Sequence, residues 1–313
     1  MRVLSIGECM VELAEAGDGL YRKGVAGDTL NTAWYLRALA PDDWQVGYFT
    51  VLGRDTTSDG IHAFIAGAGI GTDWISRHPT RVPGLYMISL DQGERSFTYW
   101  RDSSAARTLA DDPARLRAAC DAADVIYLSG ITLAILSPER RATLLDTLQG
   151  RRVVFDPNLR PRLWESPEAM RRTVEAAGAL AEIVLPSHED EAAWFGDAAP
   201  LATATRYLGL GAQEVVVKNG GGEMALGQRG PGARLLPDLP RVVPTDTTGA
   251  GDSFNAGYLA ARFRGATPDK AVQLGHALAA RVVVHTGALV AQQVVRDVRF
   301  QRNRLIVTAA IQL

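Results

Sequence analysis

The sequence is poor in cysteine and histidine, with two of the first and five of the second, and no apolar run approaches the length of a membrane span. Cys9 and Cys120 are too few for a disulfide framework and form no metal-ligand spacing. Both adjoin apolar segments and read as small core residues. An excess of one charge sign is lacking as well: 33 Lys and Arg stand against 35 Asp and Glu, a net charge of −2. That balance leaves no electrostatic footprint for nucleic acid or an acidic membrane surface. The basic cluster "RFQRNR" near the C-terminus reads as a solvated tail. No charged-then-apolar leader precedes "VLSIGE", so a cytoplasmic enzyme is expected. Familiar catalytic signatures are also missing. No Gly-Lys-Ser/Thr closes a Walker loop, "SIGECM" lacks the glycines of a dinucleotide fingerprint, and no G-x-S-x-G offers a nucleophile to the histidines. His62 and His276 fall within helical stretches and read as ordinary surface or partly buried residues.

What is present is an α/β rhythm in a chain of 313 residues, 47% hydrophobic and 22% charged, long enough to bury a sizeable core. Short β-branched runs recur at "RVLSIG", "DVIYLSG", "RVVFDPN", "EIVLPS" and "EVVVKNG", separated mostly by helical patterns. Cap residues followed by proline mark helix starts at Asp112-Pro113, Ser137-Pro138, Ser166-Pro167 and Thr267-Pro268. Buried strands alternating with helices predict a mainly parallel sheet covered on both faces. In such sheets ligands bind beyond the carboxyl ends of the strands. Polar residues stand at those ends: Asp156, Asn158, Ser187, Asn219 and Gly220. Two stretches break the rhythm, "MVELAEAGDGLYRKGVAGDTLN" and "RVPGLYMISLDQGERSFTYWRD". They read as hairpins turning near Gly17-Asp18-Gly19 and Asp91-Gln92-Gly93, either a small β lid or an antiparallel edge of the main sheet.

The stretch "DTTGAGDSF", Asp246 to Phe254, carries the strongest chemical signal. Phe254, Tyr258 and Ala261 follow at helical spacing, which makes Gly249-Ala250-Gly251-Asp252 a turn entering a helix N-terminus. Backbone N–H groups there suit a phosphate or the charge that develops on one during transfer. Asp252 would then accept the proton of an attacking hydroxyl. By spacing alone, the same residues also fit an aspartate that caps a helix beside a flexible turn.

"DTTGAGDSFNAGYL" and "AGDTLNTAWYLRAL" resemble the C-terminal and N-terminal signatures of the ribokinase-like carbohydrate kinases, in the right order and at about the right separation. In the second, Ala26 replaces the usual first glycine and Gly27 supplies the other. The likeness runs from Met1 to about Val290. It implies an α/β ribokinase-like fold over residues 1–313, with a central, mainly parallel sheet flanked by helices. A small, discontinuous β lid would form from about 11–26 and 82–103. "IGECMVEL", "YLSGITLAILSP" and "FDPNLRPRLW" resemble the branch acting on 2-keto-3-deoxygluconate. Kinases for fructose, ribose or 2-keto-3-deoxygalactonate, and a non-catalytic sugar sensor, are the alternatives. A homo-oligomer, dimer or higher, is expected.

The resemblance implies roles residue by residue. Asp252 matches the catalytic base, and Gly249, Ala250 and Gly251 match the anion hole. Gly27, Asp28 and Asn31 match the sugar-binding signature, where Asp and Asn can accept from and donate to vicinal hydroxyls. Tyr86 and Tyr99 would contact the sugar. Arg101 and Arg160 would hold the carboxylate of a sugar acid, because a guanidinium fork fits it bidentately. Ser187, Lys218, Asn219, Gly220 and Gly287 would line the ATP site. Ser187 and Asp190 take the place of the family's N-x-x-E pattern, with Asp190 holding Mg²⁺ through water. Asp246 and Thr248 match positions where many relatives hold a monovalent cation such as K⁺. Residues 291–313 depart from the family, leaving an extra strand, an extra helix or a disordered end as readings.

Overall fold

Strands buried on both faces build the main sheet. In the computed structural model, which describes residues 1–91, 94–296, 298–301 and 304–307, the strands are β1 (Arg2–Ile6), β2 (Met10–Glu15), β3 (Tyr21–Ala26), β4 (Gln45–Leu52), β5 (Ile75–Arg77), β6 (Leu85–Asp91), β7 (Glu94–Trp100), β8 (Val125–Ser129), β9 (Val153–Asp156), β10 (Ile183–Val184), β11 (Glu214–Val217), β12 (Ala225–Gln228) and β13 (Gly232–Leu235). A nine-stranded sheet runs in the order β13-β12-β11-β10-β9-β8-β1-β4-β5. From β11 through β5 the pairing is parallel, and β12 and β13 add an antiparallel edge. Successive side chains feed opposite cores. Tyr127, Val154 and Val216 enter one layer with the helices Asp28–Leu39 and Ala250–Arg262, while Leu128, Phe155 and Val217 enter the other with Pro138–Leu148 and Pro167–Leu180. Cys9 and Cys120 are buried and unbridged, one in each layer.

All the cap-proline starts read from the sequence begin helices. The side chains of Asp112, Ser137, Ser166 and Thr267 accept hydrogen bonds from the backbone N–H of Arg115, Arg140, Ala169 and Lys270. The periodicity missed β4, β5, β12 and β13. β4 is buried along nearly its whole length and so shows no alternation, and β5 has only three residues.

The two irregular stretches form a separate four-stranded sheet in the order β3-β2-β6-β7. Each stretch is an antiparallel pair, and a parallel β2–β6 ladder joins them, a long-range pairing no local pattern announces. The first reversal lies where expected, with Gly17, Asp18 and Gly19 all at positive φ. Residues 92–93, where the second was expected, lie outside the described residues. In the divergent tail a helix, Gln292–Arg296, precedes the antiparallel pair β14 (Val298–Gln301) and β15 (Arg304–Val307); 297, 302–303 and 308–313 lie outside the described residues. Among the described residues no helix is long and apolar enough to cross a membrane.

Candidate active site

The helix Ala250–Arg262 begins at Gly249, which sits in the left-handed region at φ 76. A side chain would be doubly unfavourable there, since a Cβ would lie 2.6 Å from the Ala288 carbonyl oxygen. The first helical hydrogen bond runs from Ser253 N–H to Gly249 O at 2.9 Å. The N–H groups of Gly251 and Asp252 precede it, at the positive end of the helix. Asp252 thus lies within the first helical turn. Asn31 Nδ2 donates to its Oδ2 at 2.8 Å. Burial, and then the charge of Asp28, push the Asp252 carboxyl from 3.8 up to about 7, against the Asn31 hydrogen bond, which lowers it.

Asp28 and Asn31 stand on the first turn of the helix Asp28–Leu39, behind Gly27. Gly27 has extended backbone, so its requirement is steric: a Cβ would lie 2.2 Å from Glu8 O. Asp28 Oδ2 accepts from Asn158 Nδ2 at 2.7 Å. Asn158 adopts a positive φ, 34°, directly beyond β9, a conformation asparagine tolerates better than most residues. The Asn31–Asp252 hydrogen bond thus holds the helix start after β3 and the helix start after Gly249 face to face.

Beneath both helix starts runs a polar network of which sequence reading placed only Lys218 in the site. Asp156 Oδ2 accepts from Lys218 Nζ at 3.0 Å and from Asn255 Nδ2 at 2.6 Å, and Asn255 Oδ1 accepts from Lys218 at 3.1 Å. Asn255 also donates to the Tyr127 hydroxyl at 3.0 Å, which accepts from Thr32 Oγ1 at 3.1 Å. Asp156 had a signal as a polar residue closing a strand. Asn255 stands three residues beyond Asp252 on the same helical face, a spacing that could have flagged it. Tyr127 had none, because a tyrosine inside an apolar strand is indistinguishable from core. Lys218, expected on the nucleotide side, is brought to the glycine turn: a Cβ on Gly251 would lie 3.6 Å from its Nζ.

The residues expected to contact sugar from the smaller sheet divide sharply. Tyr86 is buried and donates its hydroxyl to Glu12 Oε2, while Tyr99 is half exposed, its ring 5.8 Å from that of Tyr86. Arg101 is buried at 6% side-chain exposure against Glu8 at 1%, and its Nη2 pairs with Glu8 Oε2. Arg160 is 51% exposed and reaches Asp190 Oδ2 at 3.5 Å. The two arginines therefore serve different carboxylates.

On the nucleotide side, Ser187 caps the helix His188–Phe195 without a side-chain hydrogen bond, and bridges Lys218 through the backbone. Asp190 is held up by burial, which opposes the pull of Arg160. Among the described residues no group of three or more His, Cys, Asp or Glu is placed to hold a metal ion, so a cation at Asp190 would take most of its ligands from water and phosphate. Asn219 closes a tight turn, donating to Glu223 O at 2.9 Å, with Gly220 at φ 52. Asp246 is buried; it accepts the N–H groups of Thr248 at 2.9 Å and Gly287 at 2.6 Å, tying the glycine turn to the 283–288 segment.

An aspartate whose carboxyl is raised to about 7 thus stands beside a glycine turn at a helix N-terminus, facing a second acidic helix start. The family model described as pfkB family carbohydrate kinase matches residues 1–293. The chain belongs to this family. A relative, 2-dehydro-3-deoxygluconokinase of Dickeya dadantii (strain 3937), is 40% identical over 296 residues, covering 91% of this chain and 95% of the relative. The crystal structure of a PfkB protein from Polaromonas sp. JS666 is similar with a TM-score of 0.78 and 30% identity, over 91% of this chain and 96% of that one. A fructokinase from Xylella fastidiosa with bound ATP shares the fold at a TM-score of 0.77 and 22% identity, over 92% and 93% of the two chains. The ribokinase-like α/β fold with a separate smaller sheet is thus that of the pfkB carbohydrate kinases.

Proposed function

We propose that this pfkB-family kinase transfers the γ-phosphoryl group of ATP to the 6-hydroxyl of 2-keto-3-deoxygluconate, giving the 6-phosphate. The observation that carries the substrate is the 40% identity, across 91% of the chain, to a protein named 2-dehydro-3-deoxygluconokinase. The chemistry is supported by geometry. Asp252, with its carboxyl raised to about 7, is ionised in part at neutral pH and basic enough to take the hydroxyl proton as the oxygen attacks phosphorus. The N–H groups of the Gly249–Gly251 turn and the Lys218 ammonium stabilise charge on the transferring group. Asp28 and Asn31 orient the sugar, with Asn31 also holding Asp252. Asp190 would hold Mg²⁺ through water, and the ion would offset phosphate charge.

The reading is tested by an ATP-coupled screen of keto-deoxy sugar acids against neutral sugars. Preferred turnover of fructose or ribose would replace the substrate, and sugar binding without turnover would make the protein a sensor. Arg160 supplies the exposed cation near the site. Arg160→Ala is expected to lower kcat/KM for the keto acid at least tenfold, since a charge-assisted contact contributes about 1.5–3 kcal/mol. Activity on a neutral sugar should barely move. Equal losses on both would assign Arg160 to phosphate or to the fold.

The smaller sheet acts as a lid in this reading, closing on the sugar so that water does not take the phosphoryl group. Amide exchange over 85–91 and 94–100 should slow when sugar is added, measured by mass spectrometry. Unchanged exchange would leave the sheet a fixed wall.

A further inference from the structure

Glu12 is a buried carboxylate that the transfer outlined above does not use. It lies on β2 at 8% exposure, directly opposite Tyr86 on β6 and Gly24 on β3. Gly24 leaves room for it, since a Cβ there would sit 3.3 Å from Glu12 Oε1. The partner facing its other oxygen is a phenol: the Tyr86 hydroxyl donates to Glu12 Oε2. Tyr86 is itself 7% exposed and packs with Met10, Ala26 and Ala288. Ala26 leads into Gly27-Asp28, and the Ala288 carbonyl lies against Gly249. Burial, reinforced by Glu12, pushes the Tyr86 hydroxyl well above the ordinary phenol range, and the charge of Asp252 contributes to the same effect. The phenol therefore keeps its proton, and it stands within electrostatic reach of the base.

A phenol has one proton to give and lone pairs to receive with. With its hydrogen directed at Glu12, the oxygen has only acceptor character left to offer. We propose that Glu12 is a positioning residue for sugar selection: by accepting the Tyr86 hydrogen bond it fixes the phenol oxygen as a hydrogen-bond acceptor, so the site favours a polyol acid whose hydroxyl donates at that point. A substrate analogue with a hydrogen or a carbonyl oxygen there leaves the acceptor unpaired or opposed, and a site built to bind a hydroxyl rejects such analogues strongly. This inference rests on the sugar-kinase reading, although not on which sugar is used.

The test is a double-mutant cycle in the full-length protein, with Glu12→Gln, Tyr86→Phe and the pair, read as sugar KM, ATP KM and kcat. Tyr86→Phe should raise sugar KM roughly tenfold, in keeping with loss of one buried hydrogen bond. Glu12→Gln should raise it several-fold, because an amide can donate to the phenol and reverse the bond. The double variant should be no worse than Tyr86→Phe alone, and ATP KM should stay put throughout. Losses that multiply would overturn the proposal, as would a Glu12→Gln variant with wild-type sugar KM and only lowered stability. If Glu12→Gln does not fold, Glu12→Asp completes the cycle, since it keeps the charge but withdraws it from the phenol. Should the wild type prefer another sugar, the cycle is run on that sugar, so a wrong substrate and a wrong role for Glu12 give different results.

Discussion

Asp252→Asn is expected to lower kcat by roughly 10²–10⁴, the usual contribution of general-base catalysis, with ATP and sugar affinities held within about tenfold. The amide keeps the shape and can still contact Asn31, but it cannot take a proton. Steady-state kinetics with calorimetric binding of each substrate separates these effects, and retention of more than about a tenth of kcat would remove Asp252 from the role of base. The pH profile gives a second reading. The carboxyl lies near 7, raised from 3.8 by burial and by the charge of Asp28, so wild-type kcat/KM should climb with pH through about 7 and level off above it. Stability should run the other way. A carboxyl with a raised folded pKa binds more protons folded than unfolded, so its contribution is fully present below 3.8 and is lost as pH rises through about 7. The asparagine variant, which never ionises, should therefore gain stability relative to wild type at and above neutral pH, measured by urea unfolding across pH. A variant less stable than wild type at pH 8 would mean that burial is not what raises this carboxyl.

Arg101→Met is expected to destabilise the fold by about 3–5 kcal/mol, because it leaves Glu8 charged and buried without its partner. The pair lies where the chain passes between the two sheets. Glu8 stands between β1 and β2, its carbonyl oxygen packs against Gly27, and Gly84 has its Cβ position 3.1 Å from Arg101 Cβ and 3.0 Å from Glu8 Oε1. Glu8 Oε1 and Arg101 Nε are both buried without a protein hydrogen-bond partner, so the pair is held by few bonds and its members depend on each other. Adding Glu8→Leu to Arg101→Met should recover most of the loss, since an apolar pair of similar volume can replace a buried ion pair at little cost. Denaturant midpoints of the single and double variants check this. The competing outcome is a stable Arg101→Met protein that selectively loses turnover of the keto acid, which would make Arg101 a substrate contact first and a structural partner second.

Local chemistry was enough to place several parts of this molecule from the amino-acid order alone. Cap residues followed by proline set helix starts, because the side-chain acceptor and the missing N–H act within a single turn. The Gly249–Asp252 turn was legible for the same reason: glycine conformation and helix-end electrostatics are short-range properties of adjacent residues. The main parallel strands were visible as β-branched runs, whereas β12 and β13 contain no β-branched residue and β4, buried along nearly its whole length, showed no alternation. Tertiary structure decided everything that depends on partners distant in sequence. It joined Asp28 to Asn158 and Asn31 to Asp252, 130 and 221 residues apart. It also turned Lys218 toward Asp156 and gave Arg101 to Glu8. A charged residue's role is set by what shares its low-dielectric surroundings, since burial and neighbouring charge fix both its pKa and its partner. Those surroundings are created only when the strands and helix starts are stacked, so the residue types could be read from the chain while their assignments waited for the fold.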